Sequence, residues 1–143
     1  METIFVDTSA WDAIEDNGDR YHAAALRFKE ELVQQRVRLY VTNFILDECY
    51  TLLLRNIGYI RTVAFKRAVD LMSTGGILVI IQVSNEIEHA AWEVFERFNQ
   101  DKEWSFTDCT SKVVMENLGI QHVFAFDHHF DQMGFLRLPL SDS

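Results

Sequence analysis

The chain has little cysteine, which forms disulfides and zinc sites, and little proline and glycine, which interrupt helices and strands. Its 143 residues include two Cys, one Pro and six Gly. Two cysteines, Cys49 and Cys109, cannot supply a disulfide framework or a cysteine-rich zinc site. No Ser-, Gly- or Pro-rich linker divides the chain. We therefore predict one domain over residues 3–138, followed by a short tail at residues 139–143.

Long apolar runs and an excess of basic charge are also absent. The longest apolar run, residues 77–81, is far shorter than the roughly 18 residues of a membrane span. Since the first residues show no basic or apolar secretion segment, we expect a cytoplasmic protein without a membrane partner. Acidic residues outnumber basic residues 22 to 13, giving a net charge of −9. That charge excludes a generally cationic nucleic-acid-binding surface, although a local basic surface is still compatible with it.

Hydrophobic residues make up 48% of the sequence and alternate between short runs and amphipathic segments. We predict strands at residues 3–7, 38–42, 77–83, 122–126 and 136–138. Helices are predicted at about residues 20–35, 43–56, 60–72, 85–99 and 105–118, with a turn after the first strand. Apolar rather than alternating strands are typical of a buried parallel sheet. The pattern thus predicts an α/β fold, a three-layer α/β/α sandwich with a mostly parallel central sheet.

Four acidic residues are predicted to lie at one edge of this sheet. Asp7 ends the first strand, Asp127 ends the fourth, and Glu48 and Asp108 fall in the first turns of two helices. Strand carboxyl ends and helix amino ends share the edge where ligands bind in open α/β sheets. Converging carboxylates repel one another unless a cation lies between them. Oxygen ligands without cysteine suit Mg²⁺ or Mn²⁺, and both ions accept the same oxygen shell.

Each of these acids, taken singly, also has a structural interpretation. Asp7 and Asp127 could cap the helices that follow their strands. Ser105 and Asp108 fit a capping box, and Glu48 could be a solvated carboxylate on a helix face. A shared edge for all four residues weakens the structural interpretation of the set.

The segments around these acids resemble four motifs of the PIN-domain ribonucleases. Residues 5–11 (FVDTSAW) are similar to the family's opening strand, and residues 43–53 (NFILDECYTLL) to its second motif. The second motif points to Glu48 rather than Asp47 as the ligand. Residues 105–109 (SFTDC) and 124–130 (FAFDHHF) resemble the third and fourth motifs. The order and the intervals agree over nearly the whole chain.

The resemblance implies a Mg²⁺- or Mn²⁺-dependent endoribonuclease. Small members of this kind, such as the VapC group, are often the toxin of a toxin–antitoxin pair, so RNA and a small antitoxin are the partners that the resemblance implies. The crowded apolar residues Leu52, Leu53, Leu54 and Ile57 could form a homodimer or antitoxin surface, although burial inside the domain is the simpler account. The residues implied as metal ligands and catalytic groups are Asp7, Glu48, Asp108 and Asp127. Supporting roles are implied for Thr8, Ser9 and Thr107, and with a looser match for Asp131. Neither His128 nor His129 receives a role.

One segment of this acidic chain is locally basic. Between residues 49 and 69 there are four basic residues and no acid: Arg55, Arg61, Lys66 and Arg67. They could follow an RNA backbone beside the metal site. An ordinary solvated helix face explains them equally well.

Two other classes of protein with an acidic active-site residue at a strand end fit this sequence less well. A phosphatase of the haloacid-dehalogenase type requires Asp-x-Asp, but the third position here is Ser9. A receiver domain requires a late Lys at a strand end, and no Lys follows Lys112. The remaining alternative is a PIN-fold module that acts only by binding a partner. Uptake of Mn²⁺ would separate it from a nuclease.

Overall fold

The computed structural model describes residues 1–140, so residues 141–143 of the predicted tail lie outside the described part of the chain. Within it, five strands run over Thr3–Val6 (β1), Arg38–Thr42 (β2), Leu78–Ile81 (β3), His122–Phe124 (β4) and Leu136–Leu138 (β5). Seven helices run over Thr8–Glu15 (α1), His22–Gln34 (α2), Asn43–Ile57 (α3), Tyr59–Thr74 (α4), Asn85–Phe98 (α5), Phe106–Leu118 (α6) and His129–Gln132 (α7).

All five strands are parallel and lie in the order β3-β2-β1-β4-β5. This arrangement confirms the predicted α/β fold. The chain builds outward from β1 to β2 and β3, and then returns to place β4 on the other side of β1. Phe5 accordingly pairs with Tyr40 on one side and with Val123 on the other. The direction of winding changes between β1 and β4, and a crevice forms at the carboxyl ends of such strands.

The two strands beside this crevice are also the most buried. Ile4 and Phe5 of β1 and Val123 of β4 have no exposed surface. Their apolar side chains are covered on both faces of the sheet, as the continuous apolar runs predicted. The acids that follow these strands are therefore attached to fully buried segments of the sheet.

Strand β3 differs from the prediction. Residues 77–83 were expected to form a buried strand, but only Leu78–Ile81 is extended, and only Leu78 is fully buried. Strand β3 pairs with β2 alone and lies at the edge of the sheet. An edge position leaves one side of the strand uncovered, so β-branched residues there reflect pairing rather than burial.

Two helices lie where none was predicted. The expected turn after β1 is helix α1, which begins after Asp7 and buries Ala10, Trp11 and Ala13. The single turn α7 follows β4. Helix α1 has eight residues, and so short a segment depends on tertiary packing rather than on its own propensity. The edge-to-face contact of Trp11 with Phe65 of α4 supplies such packing.

Strand β4 ends earlier than predicted, at Phe124 rather than Phe126. Phe126 donates its backbone N–H to the hydroxyl of Ser9, 3.0 Å away, instead of to a neighbouring strand. The sheet therefore stops two residues short, and Asp127 lies in the loop between β4 and α7 rather than at a strand end. The other helix boundaries agree with the sequence within a few residues. Over residues 1–140, no helix combines the length and the apolar character that a membrane crossing requires.

Candidate active site

The structure brings all four predicted acids to one cavity of about 780 Å³ beside the carboxyl ends of β1 and β4. Asp7 and Asp127 follow these two strands, Glu48 comes from the second turn of α3, and Asp108 comes from the first turn of α6. The cavity is also lined by Thr8, Ser9, Asp12, Asp19, Tyr21, Asp47, Thr51, Leu52, Arg55, Ser105, Phe126 and His129.

Asp7 is the most deeply buried of the four acids, with 3% of its surface exposed. Its Oδ2 accepts hydrogen bonds from the Ser9 hydroxyl at 2.7 Å and from the Ser9 backbone N–H at 3.2 Å. The second bond caps α1, so the structural and the functional interpretations of Asp7 both apply. The pKa of Asp7 is raised to about 7: burial is the largest cause, the bonds from Ser9 oppose it, and the charges of Asp108 and Asp127 add to it.

Asp108 likewise has two roles. The capping box with Ser105 is present, since each residue's backbone N–H donates to the other's side chain. The Oδ2 atom of Asp108 accepts from Ser105 N at 3.2 Å and lies 2.7 Å from His129 Nδ1. Burial raises the pKa of Asp108; the His129 bond opposes this and the Asp127 charge adds to it. Both of these contacts, with Ser105 and with His129, are made by Oδ2.

His129 lies between two of the acids. Its Nδ1 is 2.7 Å from Asp108 Oδ2 and 3.2 Å from Asp127 Oδ1. Burial lowers the pKa of His129, but the hydrogen bond to Asp108 and the charges of Asp127, Asp108 and Asp7 more than offset this, so the pKa is raised. In the sequence, the only sign of this residue is that His129 is the second of two adjacent histidines after Asp127, and that pattern did not predict a role for it.

The carboxylate of Glu48 is hydrogen-bonded by a residue of α1. Its Oε1 accepts a hydrogen bond of 2.8 Å from the Thr8 hydroxyl, and Thr107 also hydrogen-bonds to it. Burial raises the pKa of Glu48, and the charge of Asp108 acts in the same direction. Each of the three small polar residues singled out from the sequence thus contacts one of the four acids: Thr8 and Thr107 contact Glu48, and Ser9 contacts Asp7.

The basic residues of α3 and α4 are dispersed. Among the described residues, Arg55 is the only Lys or Arg that lines the cavity. Arg61 donates to the backbone oxygen of Glu15, and Lys66 forms an ion pair with Asp70. Arg67 is exposed and is not a cavity residue.

Asp131 lies outside the cavity. Helix α7 does form, but the carboxylate of Asp131 lies 3.1 Å from Arg137 Nε and 3.7 Å from His128 Nδ1. These contacts leave it on the outer side of α7.

A second acidic group in the cavity was not expected from the sequence. Asp12 of α1 is 9% exposed, and hydrogen bonding with Asp19 links the two carboxyl groups, here called the Asp12–Asp19 pair. The pKa of Asp12 is raised to about 6: burial is the largest cause, the contact with Asp19 adds to it, and a bond from Asn56 opposes it. Among the described residues, the Oδ1 atom of Asp12 has no hydrogen-bond partner.

The side chains fit a divalent cation. Asp108, Asp127 and His129 each offer one ligand atom, and these atoms all lie within 4.8 Å of one another. Asp7 and Glu48 add further carboxylates to the same cavity. Buried carboxylates with raised pKa values are costly to ionise together, and a bound cation removes that cost. The site can therefore hold a divalent metal.

The model of the PIN domain family matches residues 4–136. Mycobacterium tuberculosis has a similar protein, the 23S rRNA-specific endonuclease VapC20, 37% identical over 138 residues that cover 94% of this chain and 97% of the relative. A VapC ribonuclease of Archaeoglobus fulgidus is 39% identical over 93 residues, which is 65% of this chain and 56% of that protein.

A solved structure is similar over nearly the same length. The crystal structure of Mycobacterium tuberculosis VapC20, described as a Sarcin-Ricin loop cleaving toxin, superposes with a TM-score of 0.80 and 36% identity. The match covers 93% of this chain and 96% of that chain.

Proposed function

Because this chain belongs to the PIN-domain family, we propose that it is a divalent-metal-dependent endoribonuclease and the toxin of a toxin–antitoxin pair. The observation that supports this most is the meeting of Asp7, Glu48, Asp108 and Asp127 in one cavity at the point where the sheet changes its winding direction. These residues come from four separate elements, spread over 120 positions of the chain, and a purely structural role for each would not require them to meet.

We propose that the four acids hold Mg²⁺ or Mn²⁺. When bound, such an ion activates water and offsets the charge that develops on the scissile phosphate. The protein's own contribution is to fix the carboxylates: Ser9 orients Asp7, Thr8 orients Glu48, and Ser105 orients Asp108. Hydrogen bonds of this kind set ligand orientation and affinity. Water attacks the phosphorus and the ester oxygen leaves, so no covalent nucleophile from the protein is required.

The charge of the cavity explains why a cation would be needed for RNA to enter as well as for its cleavage. Among the described residues that line the cavity, seven are Asp or Glu, and Arg55 is the only Arg. A cavity with this excess of carboxylates repels a phosphodiester backbone. Bound divalent cations reverse that field locally, which reconciles an acidic protein with an RNA substrate.

Ribosomal RNA is our first candidate substrate, because the relative that matches 94% of this chain is named for cleavage of 23S rRNA. This substrate would place the protein in the cytoplasm. We further propose that residues 3–138 form a single domain and that the protein binds a small antitoxin and a second copy of itself. Apolar side chains on the helix pair α3–α4 support a partner surface: Leu54, Ile60 and Leu71 are 54%, 80% and 74% exposed.

The deciding experiment is a calorimetric titration of Mn²⁺ into the parent protein and into Asp7→Asn, followed by cleavage assays on ribosomal RNA. We expect the substitution to leave the fold intact, since an amide oxygen can still cap α1. Metal-dependent cleavage should fall by at least about 100-fold, more than the loss typical of a ligand's supporting residues. Asp47→Asn is the matched control, because Asp47 lines the same cavity but is not a proposed ligand.

Undiminished cleavage by Asp7→Asn at the same Mn²⁺ concentration would contradict the assignment. Absence of Mn²⁺ binding in the parent would instead favour a PIN-fold module that acts only by contact with a partner.

A further inference from the structure

The imidazole of His129 occupies a position that a cation ligand would take. Its Nδ1 lies 2.7 Å from Asp108 Oδ2 and 3.2 Å from Asp127 Oδ1. Around an octahedral ion with bonds of about 2.1 Å, neighbouring ligand atoms are about 3.0 Å apart. The two observed distances bracket this value. The ring nitrogen thus has the spacing from both carboxylates that adjacent ligands have from one another.

The position of this ring is fixed by the backbone and by the packing of α7. The backbone N–H of His129 donates to Asp127 Oδ1 at 2.9 Å, which ties the residue to one of the acids it faces. The next residue, Phe130, is fully buried, and Gln132 accepts a hydrogen bond of 2.8 Å from the indole of Trp104. Helix α7 is therefore held at both ends, which fixes the backbone that carries the imidazole.

The neighbouring histidine provides a contrast within the same chain. The side chain of His128 is 75% exposed, while that of His129 is 28% exposed. His128 faces Asp131 and Arg137 rather than the cavity. Only the second member of the pair is placed to act on a bound ion.

We infer that His129 is a direct ligand of the proposed cation through Nδ1, and that this makes the site selective for Mn²⁺ over Mg²⁺. The inference rests on the proposed function and deepens it. A shell of oxygens alone accepts both ions, which is why the four acids cannot distinguish them. Mg²⁺ requires hard oxygen ligands and retains its waters, whereas imidazole nitrogen suits first-row transition ions. One nitrogen in the shell therefore separates the two ions.

The competing role for His129 is to orient Asp108 by a hydrogen bond without touching the ion. The two roles differ in an observable that does not depend on enzyme activity. A nitrogen bound to Mn²⁺ couples magnetically to the unpaired electrons of the ion. A nitrogen that only hydrogen-bonds to a ligand of the ion couples much more weakly. Pulsed electron paramagnetic resonance of the full-length protein loaded with Mn²⁺ measures this coupling directly.

The experiment uses the parent, His129→Asp, and the matched control His128→Asp. In the parent and in the control we expect a strong ¹⁴N coupling to Mn²⁺, and in His129→Asp we expect none. Calorimetric titrations with MnCl₂ and MgCl₂ should show that His129→Asp lowers the ratio of Mn²⁺ to Mg²⁺ affinity by about tenfold, because an oxygen replaces the nitrogen. Circular dichroism establishes that each variant is folded, and His129→Asn replaces His129→Asp if that variant is not.

The outcomes separate this inference from the proposed function. Mn²⁺ binding that is lost in Asp7→Asn, but shows no ¹⁴N coupling in the parent, overturns the role of His129 and leaves the nuclease proposal in place. An unchanged affinity ratio in the folded His129 variant also overturns it. If the parent binds neither ion, both the inference and the metal-dependent mechanism fail.

Discussion

Two groups of buried acids line the same cavity, and they are stabilised in different ways. Asp7 and Asp108 each receive hydrogen bonds from an adjacent Ser, and Asp108 also contacts His129. In the Asp12–Asp19 pair, two carboxyl groups contact each other, and one oxygen of Asp12 has no partner among the described residues. Hydrogen-bond donors contact the first group, whereas in the second group one carboxyl group faces another.

The difference between the two groups shows which features distinguish a preorganised cation site from a cluster of buried acids. Burial raises the pKa in both groups, to about 7 for Asp7 and about 6 for Asp12. Only the first group combines carboxylates that are oriented by hydrogen bonds, an imidazole beside them, and a position at the strand ends. Acidic residues in a cavity are therefore insufficient evidence of a site, and the hydrogen bonds that orient them are the more informative feature.

The largest expected effect concerns pH. Folded Asp7 holds its proton up to about pH 7, whereas its ordinary pKa is 3.8. The folded state thus binds more protons at Asp7 than the unfolded state does between these values, so the contribution of Asp7 to the stability of the metal-free protein is present below about pH 4 and is lost as pH rises to about 7. At about 1.4 kcal/mol per pKa unit, Asp7 alone contributes a fall of about 4 kcal/mol. Urea unfolding at pH 4.5 to 8 with a chelator measures it.

Asp7→Asn is expected to remove most of this fall, since the amide does not ionise. Saturating Mn²⁺ should reduce it in the parent, because a bound cation favours the ionised carboxylate. A parent protein that becomes more stable between pH 5 and 7 in the presence of chelator would contradict the described environment of Asp7.

A second, smaller effect is expected at the Asp12–Asp19 pair. Asp12→Asn should stabilise the protein at pH 7.5 by about 1–2 kcal/mol, because an amide can donate to Asp19 and does not place a second charge beside it. Affinity for Mn²⁺ should change less than about threefold, whereas Asp108→Asn should lose at least about tenfold. Thermal unfolding and calorimetry provide the two measurements. Equal losses of Mn²⁺ affinity in both variants would show that the two groups form one site.

The smallest effect is expected at Arg55, the basic side chain that shares the cavity with both groups. Arg55→Glu should weaken binding of an uncleaved RNA analogue by about three- to tenfold. The slope of log affinity against log salt concentration should become shallower by about one. Arg67→Glu is the matched control, because it makes the same charge change at an exposed position outside the cavity. Fluorescence anisotropy at several salt concentrations distinguishes them. Equal effects in the two variants would indicate a general charge effect.

Much of the fold and the four acids could be predicted because their signals are local. Apolar runs mark the strands, and Ser105 with Asp108 predicts the start of α6 from four adjacent residues. The convergence of the acids then follows from a rule about parallel sheets. Roles for the residues around them were implied by the family resemblance, and they stay a proposal.

Contacts between distant segments account for what was missed. Strand β4 ends early because Phe126 donates to Ser9, 117 positions away, and no local pattern indicates such a bond. The position of His129 depends on that early end, since α7 begins in the loop that results. Helix α1 was taken for a turn because its eight residues are stabilised by packing against α2 and α3, and by Trp11 against Phe65 of α4, rather than by a strong pattern of their own.

The bond between Ser9 and Phe126 has a consequence for how the protein is made. During translation, Asp7 and Ser9 leave the ribosome early, but the cavity stays incomplete until the segment after β4 has emerged. Strand β1 cannot pair with β4 before that moment, so the site assembles late in synthesis. The four acids from separate segments therefore come together only after β4 and the loop that follows it have been synthesised.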